Sequence, residues 1–437
     1  MTEPRLSRNP LSLAGAGLTT LSAAGFLIFL ALDAFGWLIS PYAGLLGYVL
    51  IPLFFVVGLL LIPLGMWREG RRRRKGGAPW AWPAIDFNRP RVRAITTAII
   101  LLTITNISLI ALASVGVVHY TESNAFCGQV CHTPMTPEFV AHKVSAHSKV
   151  DCVQCHVGPG AGGFIAAKKN GTRQLYLVAV GHYSRPIPEP LDRLPGAAVT
   201  CASCHTPGRP ERDVARTVAA YNNDEKSSDN STQMTLLMKA NHWHARADVS
   251  VEYVASDDTR QTIPYVRATD GQGKVTEYFA DGVTARPAGP VRRMSCIDCH
   301  NRPAHTFAVS AERAVDAAIA AGGVNTALPF ARREMVTALS KEYANDNDAA
   351  AGIERDLKAS WNAADASLSS ERDRAIVTAR TLYQQNVFPS MKVTWGTYKS
   401  NLGHTDAPGC FRCHDDSHKS KDGVAVRQDC EMCHAIK

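Results

Sequence analysis

The sequence predicts a membrane-anchored protein: three N-terminal transmembrane helices, then a mainly α exported domain with sparse regular structure and a small β meander, organised around one repeated cysteine–histidine motif. Three observations predict it. Residues 13–39, 42–66 and 95–118 are apolar runs of about the length needed to cross a bilayer. All twelve cysteines fall into six pairs, each followed at once by histidine. The stretches between the pairs carry strand and helix periodicity with no solenoid repeat.

Five of the pairs read C-x-x-C-H: Cys152, Cys155 and His156; Cys201, Cys204 and His205; Cys296, Cys299 and His300; Cys410, Cys413 and His414; Cys430, Cys433 and His434. The first, Cys127, Cys131 and His132, has three residues between its cysteines. Two thiols one short turn apart can form thioethers with both haem vinyl groups, and the next imidazole then lands under the iron as an axial ligand. Paired cysteines also suit zinc ribbons or disulfides. Neither requires a histidine after every second cysteine, so the expectation is a multihaem c-type cytochrome with six covalently bound haem c groups. The wide motif adds one residue without removing any of its three bonds.

Covalent haem places these cysteines outside the bacterial cytoplasm, so the N-terminus must supply an export route. Three long spans fit an anchor better than a cleavable signal, which would show one short apolar region. The loop 67–93 carries nine Lys and Arg against two acids and is expected to be cytoplasmic. That puts the N-terminus in the cytoplasm, the anchor in the inner membrane and the haem domain in the periplasm. Most of the formal charge of +8 lies in the first 118 residues, and haem propionates would make the exported part acidic, so no nucleic-acid partner is expected. The domains read as 1–118 (membrane), 119–205 (haems 1–3) and 206–437 (haems 4–6).

The first cysteine-free gap holds three strand-like runs in which Val249, Val251 and Tyr253 alternate with polar residues, separated by the turn signals DDT and DGQG, and is expected to form an antiparallel meander. The second gap is Ala-rich. Ser310 can cap one helix ending near Gly322 and Gly323, a second can start at Pro329, and Ser370 can cap a third running to about Val387.

Nine histidines remain after the six proximal ligands. A low-spin electron carrier wants a second strong axial ligand on each iron. His147, His305, His404 and His418 each lie beside a haem motif; His242 and His244 flank a tryptophan and, in an extended segment, would face opposite ways and serve different irons. His142 and His182 read as surface or supporting residues. Met135, three residues past His132, is a thioether that can ligate iron and raise its potential, and is equally suited to filling a core gap.

Eight residues separate Val118 from Cys127, so the first haem is expected at the membrane surface, where a lipid-soluble quinol could deliver electrons. Quinol oxidation also releases protons, which need a titratable acceptor. His119, Lys168 and Arg173 are the candidates, with Lys169 read as an exposed base beside lipid headgroups.

A span followed by a first haem motif with a nearby methionine, then SAH before CVQCH, then a lysine-containing helical segment, resembles the NapC/NirT family of membrane-anchored quinol dehydrogenases over residues 95–205. The resemblance makes 119–205 the NapC/NirT-like domain and implies a quinol pocket with Lys168 at the position of the family's pocket lysine and Met135 near that of its methionine ligand. HWH, RQTIPYVRAT, CIDCHNRPAH and the stretch from KVTWGTY to DCEMCH further resemble the larger inner-membrane multihaem cytochromes of metal-respiring bacteria. Six haems and three spans depart from the family's usual four and one, and Gln174 stands where many members carry an acid.

The function expected is therefore oxidation of menaquinol or ubiquinol from the membrane quinone pool. Electrons would pass through the haems to a periplasmic cytochrome or reductase, in anaerobic respiration or extracellular electron transfer. Homo- and hetero-oligomers both stay open. The alternatives are a terminal reductase of a small oxyanion at an iron with an open position, and a structural electron-transfer subunit without a quinol site of its own.

Overall fold

A computed structural model describes residues 7, 9–34, 50–77, 87–130, 132–189, 194–205, 212–362 and 365–436. The chain divides into two compact units, Met1–Thr121 and Glu122–Lys437.

The first unit contains α1 (Pro10–Ala34), α2 (Ile51–Arg74) and α3 (Pro90–Thr121), each with a stretch long and apolar enough to span a membrane. In lipid no hydrophobic drive pulls helices together, so close backbone approach and interhelical hydrogen bonds must do it. Here small residues allow that approach. A Cβ on Gly15 of α1 would stand 2.7 Å from the carbonyl oxygen of Gly58 in α2, and Ser12 Oγ donates to Ile62 O at 2.8 Å. α2 continues through Arg71, Arg72, Arg73 and Arg74, which form its last turn. Arginine is a good helix former, and a basic last turn complements the helix dipole. The basic segment expected as loop from residue 67 is thus helical to Arg74. The expected end of the first span and start of the second (35–49), part of the basic loop (78–86), Cys131 and the side chain of His132 lie outside the described residues.

The second unit is one body, and the boundary expected at residues 205 and 206 falls inside it. Its elements are α4 (His132–Lys143), α5 (Gly160–Ala179), β1 (Val214–Val218), β2 (Thr232–Leu236), β3 (Ser250–Val254), β4 (Tyr265–Thr269), β5 (Val275–Phe279), β6 (Arg292–Arg293), α6 (Ala311–Ala320), α7 (Ala331–Leu339), α8 (Asp346–Ser360), α9 (Ser369–Asn386), β7 (Lys419–Ser420) and β8 (His434–Ile436). The meander β3-β4-β5 is antiparallel and in register, with Val251 opposite Ala268 and Tyr265 opposite Phe279; β6 and β7 extend it at either edge. Alternation buries Val251 and Tyr253 of β3 with Val266 of β4 in one small core. A second sheet, β1-β2-β8, pairs Leu236 with His434. It brings the chain's last motif against the first gap, a pairing no local pattern announces.

The helices α6–α9 form an ordinary apolar core: Val315, Leu339, Ile353, Leu357, Ala379 and Tyr383 are buried, and Trp361 seals the end by donating its Nε1 hydrogen to Pro329 O at 3.0 Å. Ser310 caps α6, accepting from Arg313 N at 3.3 Å. α8 was not anticipated, although Asn345 caps it by accepting from the Asn347 and Asp348 amides and acids fill its first turn. α9 begins at Ser369, so Ser370 lies inside the helix and is not its cap. No cysteine-motif residue belongs to this core.

Candidate haem sites

The regular motifs are single tight turns. Cys152–His156, Cys296–Cys299 and Cys430–Cys433 are one-turn α-helices, while Cys201–Ser203 and Gly409–Arg412 are 3-10 turns. The wide motif is different: Phe126–Val130 is a π-helical turn. A π turn holds one more residue than an α turn, so the additional residue before Cys131 is absorbed by widening the helix. Gly128 in that turn is buried against α4, where a Cβ would overlap the Phe139 ring.

Neighbouring motifs lie side by side. Cys127 lies beside Cys152, and Cys201 beside Cys296. Arg412, inside the turn of Cys410 and Cys413, donates from Nη2 to the carbonyl oxygen of Asp298, inside the turn of Cys296 and Cys299, at 2.7 Å. Asp298 is buried, accepts from Arg260 Nη1 at 2.7 Å and from Tyr253 Oη, and closes a capping box with Ser295. The sequence signal for Asp298 and Arg412 is a charged residue in the spacer of each of these two motifs, CIDC and CFRC.

The second imidazole near each regular motif decides whether haem fits. With metal–nitrogen bonds of about 2.0–2.1 Å, an iron held between two imidazoles puts the ring centroids roughly 6 Å apart. His156 faces His305 at 6.1 Å, His205 faces His147 at 6.1 Å, His300 faces His242 at 6.3 Å, His414 faces His244 at 5.8 Å and His434 faces His404 at 6.1 Å. The residues therefore fit haem. Three of these rings are also fixed in tautomer: His147 Nδ1–H donates to Pro303 O at 3.1 Å, His305 Nδ1–H to Glu138 O at 3.0 Å and His414 Nδ1–H to Arg427 O at 3.1 Å. Each leaves its Nε2 lone pair for a metal. His434 Nδ1 is buried and has no protein partner.

One expected ligand is placed otherwise. His418 is buried with Nδ1 2.9 Å from the Asp415 carboxylate and Nε2 2.6 Å from Ile263 O. Both ring nitrogens face protein oxygens, and the ring ties the fifth motif to the meander. Met135 lies on α4 three residues after position 132, on the same side of the helix. His142 donates Nε2–H to Val150 O at 3.0 Å although its ring is 6.2 Å from His305, and His182 bonds to Val180 O.

The pocket candidates separate. Lys168, on α5, holds its ammonium over the Phe164 ring, 4.9 Å from the centroid, and lies in the neighbourhood of Cys127. Arg173 is exposed further along α5, and His119 belongs to the last turn of α3 in the other unit.

Comparison with known proteins gives this arrangement a family. The family model "NapC/NirT cytochrome c family, N-terminal region" matches residues 89–187. The cytochrome c-type protein ImcH of Geobacter sulfurreducens is 34% identical over 451 residues, covering 98% of this chain and 88% of that protein. The chain belongs to the NapC/NirT-type c-type cytochromes. The cytochrome c nitrite reductase subunit NrfH of Nitratidesulfovibrio vulgaris is 30% identical over 102 residues, 23% of this chain and 63% of that protein. No solved structure matches.

This cytochrome is thus a membrane-anchored multihaem electron-transfer protein, and its local electrostatics suit haem iron. Burial and then the facing His414 push His244 down to about 4; burial likewise lowers His156, His300 and His305, the last against the opposing pull of Glu138. In all four the shift is toward the neutral form, the one in which imidazole ligates a metal. Arg302 braces His305 through Glu138, with which both interact, at 2.8 Å for the arginine.

Proposed function

We propose that this cytochrome oxidises quinol at the inner membrane and relays the electrons through six haems to a periplasmic cytochrome or reductase, serving anaerobic respiration or extracellular electron transfer. The observation that carries the relay is the set of five imidazole pairs at 5.8–6.3 Å. Haem bound there supplies reversible one-electron iron chemistry. The chain's own part is to hold the irons of the five regular motifs each between two nitrogens, so that they change charge with little rearrangement, and to leave no open position there for a small oxyanion. That favours the relay over a terminal reductase.

The proposed donor site lies beside the first motif. Lys168 lies in the neighbourhood of Cys127, and five residues separate Thr121, the end of α3, from Cys127. Lys168 binds and orients the quinol oxygen, and Arg173, on the same helix, assists in holding the negative charge that the released protons leave. The π turn lets the first motif keep both thioethers while its ligand side, with position 132 and Met135 on one face of α4, differs from the rest. The wholly basic last turn of α2 favours a cytoplasmic N-terminus and a periplasmic haem unit.

The test is anaerobic mixing of the full haem-loaded protein with menaquinol and ubiquinol analogues while the haem absorption bands are followed. Reduction is expected, slowed by roughly 100-fold in Lys168→Ala if that lysine serves proton transfer. Haems that stay oxidised would discard quinol as donor, and full rates in Lys168→Ala and Met135→Ala would discard the pocket.

A further inference from the structure

The tripeptide His242–Trp243–His244 belongs to no cysteine motif, yet it lies between two of them. It follows a one-turn helix, Met238–Asn241, and enters a 3-10 turn, Trp243–Ala245. With three residues per 3-10 turn, side chains two apart point in well-separated directions. The rings behave accordingly: His242 faces His300 at 6.3 Å and His244 faces His414 at 5.8 Å, and the two partners are the proximal positions of different motifs. Trp243 sets its ring edge-on to His244 at 5.6 Å and packs, with Cys413, on the buried Val249, Val251 and Tyr253 of the meander.

A second, independent set of contacts locks those two motifs together. Arg412 of the Cys410 turn donates to Asp298 O of the Cys296 turn at 2.7 Å and to Arg260 O at 2.8 Å; Arg260 Nη1 returns to the Asp298 carboxylate at 2.7 Å; and Asn401 Nδ2 reaches Asp298 O at 3.2 Å. Arg412, Arg260, Asp298 and Asn401 are all buried. Buried hydrogen-bonded charge of this kind is costly to disturb, so the two turns keep a fixed distance.

We propose that His242 ligates the iron of the motif Cys296, Cys299 and His300 while His244 ligates the iron of the motif Cys410, Cys413 and His414, so that one tripeptide bridges the fourth and fifth haems and forms the junction between them. With haem held at both motifs, a single electron could pass between the two irons, one oxidised as the other is reduced, with no proton moved and no bond broken. The inference rests on the relay proposed above, in that haem must occupy both motifs.

The test uses the full-length haem-loaded protein carrying His242→Ala, His244→Ala or both, with haem content measured first and electron paramagnetic resonance then counting high-spin haems. Each single variant is expected to convert one low-spin haem to high-spin and the double variant two, with added imidazole restoring the low-spin signal. His418→Ala serves as the control and adds none. Should an alanine variant lose structure, His242→Met and His244→Met keep a ligand, and each is expected to replace one bis-imidazole signal with one of imidazole–thioether type. A double variant with no more high-spin haem than either single, or singles with none, overturns the bridge while leaving the relay in place. A wild-type protein lacking haem at either motif fails the relay itself.

Discussion

His404 and His418 stand nearly symmetrically about the fifth motif in the sequence, and local reading cannot separate them. What does is Ile263, 155 residues away from His418, whose carbonyl takes its Nε2 hydrogen, while His404 faces His434. His404→Ala is therefore expected to create one high-spin haem visible by electron paramagnetic resonance. His418→Ala is expected to create none, and instead to lower unfolding stability by about 1–3 kcal/mol through the unsatisfied groups it leaves. The same residue-scale logic shows how neighbours in sequence mislead. His305 follows the fourth motif but faces His156 of the second; His147 precedes the second but faces His205 of the third; His404 precedes the fifth but faces His434 of the sixth. Which histidines are candidates was readable from residue chemistry. Which motif each one faces was not, because a ring a few residues from a proximal ligand starts on the wrong side of its porphyrin plane.

Elements with a strong local signal were legible: the three apolar helices, the alternating strands β3–β5, and α6 with its Ser310 cap. Those that depend on distant partners were not. β2 and β8 are joined across some 200 residues, and the π turn at Phe126–Val130 shows in the sequence only as one additional residue. The helical core makes a prediction of its own. Trp361 is fully buried at the end of α8 and holds Pro329 through its indole nitrogen, so Trp361→Ala is expected to cost about 3–5 kcal/mol in denaturant unfolding. The visible haem spectrum of the folded variant should stay unchanged, because this core contains no motif residue. A shifted spectrum would mean that the scaffold also sets haem geometry.

At the scale of the molecule, neighbouring motifs lie side by side, the first with the second at Cys127 and Cys152, the third with the fourth at Cys201 and Cys296, and the fourth with the fifth through Arg412 and Asp298, with β8 returning the sixth to the sheet beside β2. His305 and His147 join the second motif to the fourth and to the third. A terminal reductase needs one interior iron with an open position; a relay needs none. Quantitative electron paramagnetic resonance of the intact, oxidised, full-length protein, before and after adding nitrite, separates the two most directly. The relay predicts five low-spin bis-imidazole haems untouched by nitrite and a distinct sixth at the first motif. An interior high-spin haem that binds nitrite and turns it over would contradict it.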